Sequence, residues 1–139
     1  MNKKVKIKCT LVLLVLQAFF CTYTFAQSRL QDTLYVESAP FNSTSIVQIS
    51  YPRFEEDFCN NIKFKIVVNE DTLSNLNLFI SKARYKRTNN GIDVRAKFIY
   101  IKKDGTKTEI CMSKFYIMID GRLVKGNTRF FNFLKRLTI

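Results

Sequence analysis

Three sets of residues in this chain could do chemistry. Glu55, Glu56 and Asp57 stand together; Cys59 and Cys111 are the only cysteines beyond residue 26; and cations recur at alternate positions in Lys82, Arg84, Lys86 and again in Arg95, Lys97. The chain contains no histidine. That excludes Ser-His-Asp and Cys-His nucleophile arrangements, which need an imidazole base. It also excludes histidine-containing zinc sites, and two cysteines cannot build a zinc site made of cysteines alone. With four glycines in all and no GxGxxG or GxxxxGKS/T run, there is no phosphate-cradling loop. Glycoside hydrolysis needs two carboxyls held across a bond at a defined separation, which three adjacent residues in one loop do not supply, so Glu55 to Asp57 reads as a surface turn. EF-hand spacing is missing. The expectation is a protein that is not an enzyme, with no metal and no cofactor.

The beginning of the chain carries an address. Lys3, Lys4, Lys6 and Lys8 precede an apolar run from Leu11 to Phe25, and Thr24-Phe25-Ala26 offers a small-residue cleavage site before Gln27. This is the pattern of a signal peptide over residues 1–26, and the run is several residues short of the roughly 20 that span a bilayer. A secreted or periplasmic protein is expected, with residues 27–139 forming a single small β-rich domain and meeting a membrane only through the uncleaved signal. Removing 1–26 takes away four of the 23 basic residues and none of the 11 acids, which leaves 19 against 11 and a net charge of +8. The positive balance therefore belongs to the domain, and outside the cytoplasm it favours anionic partners.

In an oxidising compartment two cysteines suggest one disulfide. A Cys59–Cys111 bridge would close a loop of 53 residues and contribute about 4 kcal/mol in the chain-entropy picture; separate buried thiols are the alternative. Asn42-Ser43-Thr44 matches a glycosylation acceptor, a pattern common by chance.

The elements that must position these residues are read from periodicity and turns. Thr33 to Glu37 and Ser45 to Ser50 read as strands, with Pro40 and Pro52 closing them. Ile62, Phe64, Ile66 and Val68 alternate with Lys63 and Lys65 as a half-buried strand. From Asp71 to Ile80 both a helix face (Leu73, Leu76, Ile80) and a strand (Leu76, Leu78, Ile80) fit, and Asn75 and Asn77 tilt the choice to strand because asparagine is a poor helix-interior residue. Between Ser81 and Lys125, Asn90-Gly91, Asp104-Gly105 and Asp120-Gly121 mark hairpin turns, since a type I′ turn needs positive φ at both central residues. Finally Phe130, Phe133, Leu134 and Leu137 follow Asn127-Thr128 at helical spacing, with Lys135 and Arg136 at the far end. The fold class is α+β, mainly an antiparallel β meander with one C-terminal amphipathic helix; an all-β two-layer sandwich is the alternative.

Two-residue turns at Asn90-Gly91 and Asp104-Gly105 fix a register. Phe98 then opposes Cys111 and Ala83, Tyr85 opposes Ala96, and one face collects Ile92, Val94, Ala96, Phe98, Cys111, Phe115, Ile117 and Ile119 as a core. The other face collects Lys82, Arg84, Lys86, Arg95, Lys97 and Lys114, flanked by Tyr100 and Tyr116. Such a face is either a solvated exterior or an anion-binding surface. The function expected is that of an exported non-catalytic binding or inhibitor-like protein that engages an acidic protein or anionic glycan through this basic face. A structural component of the cell envelope that associates through β edges is the alternative. Nucleic acid is not expected as a partner, because an exported protein seldom meets single strands.

Overall fold

The computed structural model describes residues 31–42, 48–87 and 91–138, of which Asp32 onward belongs to one compact unit. The expected signal peptide, the start of the Ser45 to Ser50 strand, Ser43-Thr44 of the acceptor motif and Asn90 of the first turn lie outside the described residues. Gln48 to Ser50 is not strand.

Alternation makes the first strand. Leu34, Val36 and Ser38 turn inward from β1 (Thr33–Ser38) while Thr33, Tyr35 and Glu37 turn the other way. β1 is paired on both sides, antiparallel to β2 (Lys63–Val67) and to β3 (Ala96–Ile101). From β3 the chain runs as a meander through β4 (Lys107–Met112), β5 (Ile117–Ile119) and β6 (Arg122–Leu123), which gives the order β2-β1-β3-β4-β5-β6. The result is the expected α+β fold dominated by a β meander.

Two aspartate-glycine turns behave differently. At Asp120-Gly121, φ is 46° and 74°, and Ile119 pairs directly with Arg122, so this is the two-residue turn with positive φ at both positions. At Asp104-Gly105 only the glycine is left-handed, with φ 84°. There the Gly105 N–H donates to the Lys102 carbonyl and the Lys102 N–H to the Thr106 carbonyl, both at 2.9 Å. The loop thus holds Lys103, Asp104 and Gly105, one residue more than expected, with a glycine bulge. This overturns the predicted register: Phe98 pairs with Ile110, and Cys111 pairs with Lys97. A one-residue slip moves side chains to the opposite face, so Cys111 lies on the far side of the sheet from Phe98.

The predicted pairing of 81–87 with β3 is also corrected. The neighbours of β3 are β1 and β4, and Tyr85 bridges Val124 at the other end of the sheet instead.

The segment read as a strand from Asp71 to Ile80 is the helix α2 (Glu70–Ser81). α1 is the short helix Phe54–Phe58, so Glu55 to Asp57 lie in a helix and not in the surface turn that the sequence suggests. Asn69 caps α2, its Oδ1 accepting the Thr72 N–H at 2.9 Å. Leu73 and Leu76 are buried, and Asn75 bonds back to the Asp71 carbonyl at 2.9 Å from an exposed position. The two buried leucines outweigh the few tenths of a kcal/mol by which asparagine disfavours helix. α3 (Thr128–Leu137) forms as its spacing predicts, capped by Asn127 and burying Phe130, Phe133 and Leu134. Phe79 of α2 stacks on Phe130 with ring centroids 5.1 Å apart. Both helices therefore cover one face of the sheet, over Leu34, Val36, Phe98, Tyr100, Ile110 and Met112.

The other face carries a second core. Phe54 and Phe58 of α1 pack there with Ile49, Ile92, Val94, Cys111 and Leu123. The predicted single core is thus divided: Ala96, Phe98, Ile117 and Ile119 go to the first layer, and Ile92, Val94 and Cys111 to the second. Phe115 belongs to neither and is 78% exposed. On β2 the predicted face is inverted. Val67 opposes Leu34 and is buried, whereas Phe64 and Ile66 lie beside Tyr35 on the other face and remain 59% and 53% exposed.

Candidate anion-binding groove

Three segments converge where α3 begins. Leaving α2 at Lys82, the chain runs antiparallel to residues 123–125: the Lys86 N–H donates to the Leu123 carbonyl at 2.8 Å, and the Lys125 N–H to the Arg84 carbonyl at 2.7 Å. Lys82, Arg84 and Lys86 are exposed along this ribbon, as are Lys125 and, in the first turn of α3, Arg129. The third segment is the tight turn between β4 and β5. Its Ser113 Oγ accepts the N–H groups of Phe115 and Tyr116 at 3.1 and 2.8 Å, and the Ser113 N–H donates to the Tyr116 carbonyl. That knot presents Lys114, Phe115 and Tyr116 outward, and the Lys86 ammonium stands 5.1 Å from the centre of the Tyr116 ring.

Two adjoining concavities result, sharing the backbone from Val124 to Thr128. One, of about 300 Å³, has Lys86, Lys114 and Lys125 with Phe115, Tyr116 and Phe131 around the buried Ile117 and Val124. The other, of about 400 Å³, is lined by Lys82, Arg84, Lys125 and Arg129. Among the described residues, no acidic residue lines either one. Among the described residues, none of these six cations makes an ion pair. Two surface cations elsewhere do: Arg53 pairs with Asp57 and Lys107 with Glu109.

Of the six predicted site residues, then, Lys82, Arg84, Lys86 and Lys114 are brought together, though not as a sheet face. Arg95 and Lys97 are corrected. Arg95 is 1% exposed, bonded through Nε and Nη2 to Asp93 at 3.0 and 2.6 Å, with its guanidinium over the Phe58 ring. Lys97 is 4% exposed, its Nζ 2.7 Å from Glu55 Oε1 and 4.2 Å from the Tyr51 ring centre. Both are packed against α1 on the second core's side. Tyr116 flanks the groove as expected, while Tyr100 is buried and donates its hydroxyl to Asp32 at 2.7 Å. Lys125 and Arg129 escaped the sequence reading. Their signal was present: the first turn of α3 has a cation and no acid, the reverse of what the helix dipole favours.

The predicted disulfide is not formed. Cys59 is a free, exposed thiol just past α1, and Cys111 a free, buried one on β4. Burial pushes the Cys111 thiol up to about 12, which suppresses the nucleophilic thiolate. A further cavity of about 330 Å³ beside Cys111 is lined mainly by apolar groups with Tyr51 and Glu109. No protein-family model, curated protein or solved structure matches the chain.

Proposed function

We propose that this is an exported, non-catalytic binding protein that engages an acidic protein or anionic glycan through the groove at the start of α3. The observation that carries the reading is the grouping of Lys82, Arg84, Lys86, Lys114, Lys125 and Arg129 around two adjoining concavities with no acid among the described residues that line them. Like charges gathered on one surface oppose folding, and solubility needs no such concentration. Their field would steer an anionic partner and lose strength with salt. The lysine-led apolar start of the chain supports export, and the lack of histidine supports a binding role over a hydrolytic one.

The test is a triple reversal, Arg84→Glu, Lys114→Glu and Lys125→Glu, beside a control of equal charge change, Lys63→Glu, Lys102→Glu and Lys103→Glu. On immobilised heparin and on polyglutamate the groove variant should elute at markedly lower salt than the control, with both folded by circular dichroism. Equal elution of the two variants sinks the reading.

The exposed Phe64 and Ile66 on β2, the end strand of the described sheet, favour a second reading, association through β edges. It requires a concentration-dependent oligomer in light scattering that Ile66→Lys abolishes.

A further inference from the structure

The two concavities differ in what they offer. The one near Arg84 and Arg129 is a cationic, polar hollow. The one near Phe115 is a ring of lysines around an apolar interior, with Ile117 and Val124 at its buried end and Phe115, Tyr116 and Phe131 beside them. A polyanion held by charge alone, such as a sulfated glycan, would leave that interior empty. A flat saccharide would have no tryptophan on which to stack, since the chain contains none. A cavity of about 300 Å³ is at the lower end of ligand-pocket sizes and suits a single bulky side chain. Interfaces are commonly anchored by an apolar group in a desolvated pocket rimmed by polar contacts.

Resting on the groove reading above, we propose that the partner is an acidic polypeptide that seats one bulky apolar side chain in the cavity bounded by Phe115, Tyr116 and Phe131. Its carboxylates on one side of the anchor meet Lys86 and Lys114. Those on the other side run over Lys125 toward Arg84 and Arg129. Charge then governs encounter and its salt dependence, and the anchor governs residence and selectivity among acidic sequences. Phe115 has an accountable place in this arrangement: its ring, 78% exposed in the free protein, closes over the anchor when the segment is bound.

Fluorescence anisotropy with four probes tests the proposal. They are a labelled Glu/Asp-rich dodecapeptide with one central Phe, the same peptide with Ala at that position, a heparin oligosaccharide, and phosphatidylglycerol vesicles. The Phe peptide should bind about thirtyfold tighter than the Ala peptide, the scale of one hot-spot anchor. Phe115→Ser, at an exposed position that does not threaten folding, should erase most of that difference. Arg84→Glu with Lys125→Glu should weaken both peptides alike. Equal binding of the two peptides, still dependent on the cations, overturns the anchor and leaves the basic groove standing. Tighter binding of the oligosaccharide or the vesicles than of the Phe peptide overturns the choice of partner. Binding of every probe that ignores the cation reversals overturns the groove itself.

Discussion

Asp32 and Tyr100 show how this domain uses single polar residues to close its edges. The Asp32 carboxylate accepts the Tyr100 hydroxyl at 2.7 Å and the Lys103 N–H at 2.8 Å, tying the residue before β1 to the end of β3. Those hydrogen bonds, the tyrosine's first, hold its pKa below the ordinary 3.8. A folded-state pKa below the unfolded one contributes stability that is fully present above the unfolded value and is lost as pH falls through the folded value. Glu55 behaves the same way, lowered by its hydrogen bond from Lys97 and then by that residue's charge. Asp32→Asn should lower stability near pH 7 by less than about 1 kcal/mol, the scale of one hydrogen bond discounted for the solvent that reaches this carboxylate. Below pH 4 the gap to the parent should shrink; urea melts between pH 7 and 2 measure both, and a constant gap refutes the assignment. The cysteines make a parallel case. With one free thiol exposed and the other buried, iodoacetamide should modify Cys59 in the native protein and Cys111 only after unfolding, and reductant should leave the melting temperature unchanged. Peptide mapping that finds both protected, or a Cys59–Cys111 peptide, rejects this.

Turns decide which side chain meets which at the scale of elements, and here two identical dipeptides make different turns. Asp120-Gly121 takes the two-residue form, whereas Asp104-Gly105 adds Lys103 and a bulge, and Asp104 Oδ1 holds the Thr106 N–H at 2.8 Å to complete it. Nothing in the dipeptide distinguishes the two cases, because both satisfy the demand for a left-handed glycine. The consequence is large: a one-residue shift carries Cys111 across the sheet to the face of Lys97, and Lys97, expected as a solvated cation, is buried there. Long periodic segments were readable for the opposite reason. Phe130, Phe133, Leu134 and Leu137 repeat over two turns and admit only a helix, whereas ten residues from Asp71 satisfy two periods at once, and only burial of Leu73 and Leu76 settles the choice. The position of β1 between β2 and β3 joins residues some sixty positions apart, a pairing that local pattern does not encode. Glycine substitutions test the turn account directly. An added Cβ at Gly105, Gly121 or Gly126 meets nothing within 4 Å, but the first two have φ of 84° and 74°. Gly105→Ala and Gly121→Ala should each destabilise by about 1 to 2 kcal/mol through backbone strain alone, while Gly126→Ala stays within about 0.5 kcal/mol. Thermal melts that rank Gly126→Ala with the other two refute it.

Across the whole molecule, the basic groove is legible only after folding, because its cations come from four separate stretches: 82–86, 114, 125 and 129. Alternation at Lys82, Arg84 and Lys86 was a true signal of shared orientation. It attached them to the wrong neighbours, since their partner strand is 123–125 and not β3. Arg95 and Lys97 show the complementary outcome, in which basic residues within an alternating pattern are buried against α1 with their own carboxylates. The fold thus neutralises one group of cations, Arg95 and Lys97, and leaves another, around the groove, with no acid among the described lining residues. The second group should oppose folding, and a residue kept for binding at the expense of stability has a testable signature. Lys125, exposed and shared by both concavities, is the place to look. Lys125→Glu should relieve like-charge repulsion worth about 0.5 kcal/mol, which for a domain near 100 residues raises the melting temperature by roughly 2 to 4 °C. The gain should be largest at low ionic strength and vanish near 0.5 M salt, because the charges are exposed and screened, on the scale of about 3 to 10 Å. The same substitution should weaken capture by polyglutamate. A variant that is less stable at low salt, or more stable yet unchanged in binding, would mean that these cations are held apart by their solvent and that the groove is not what concentrates them.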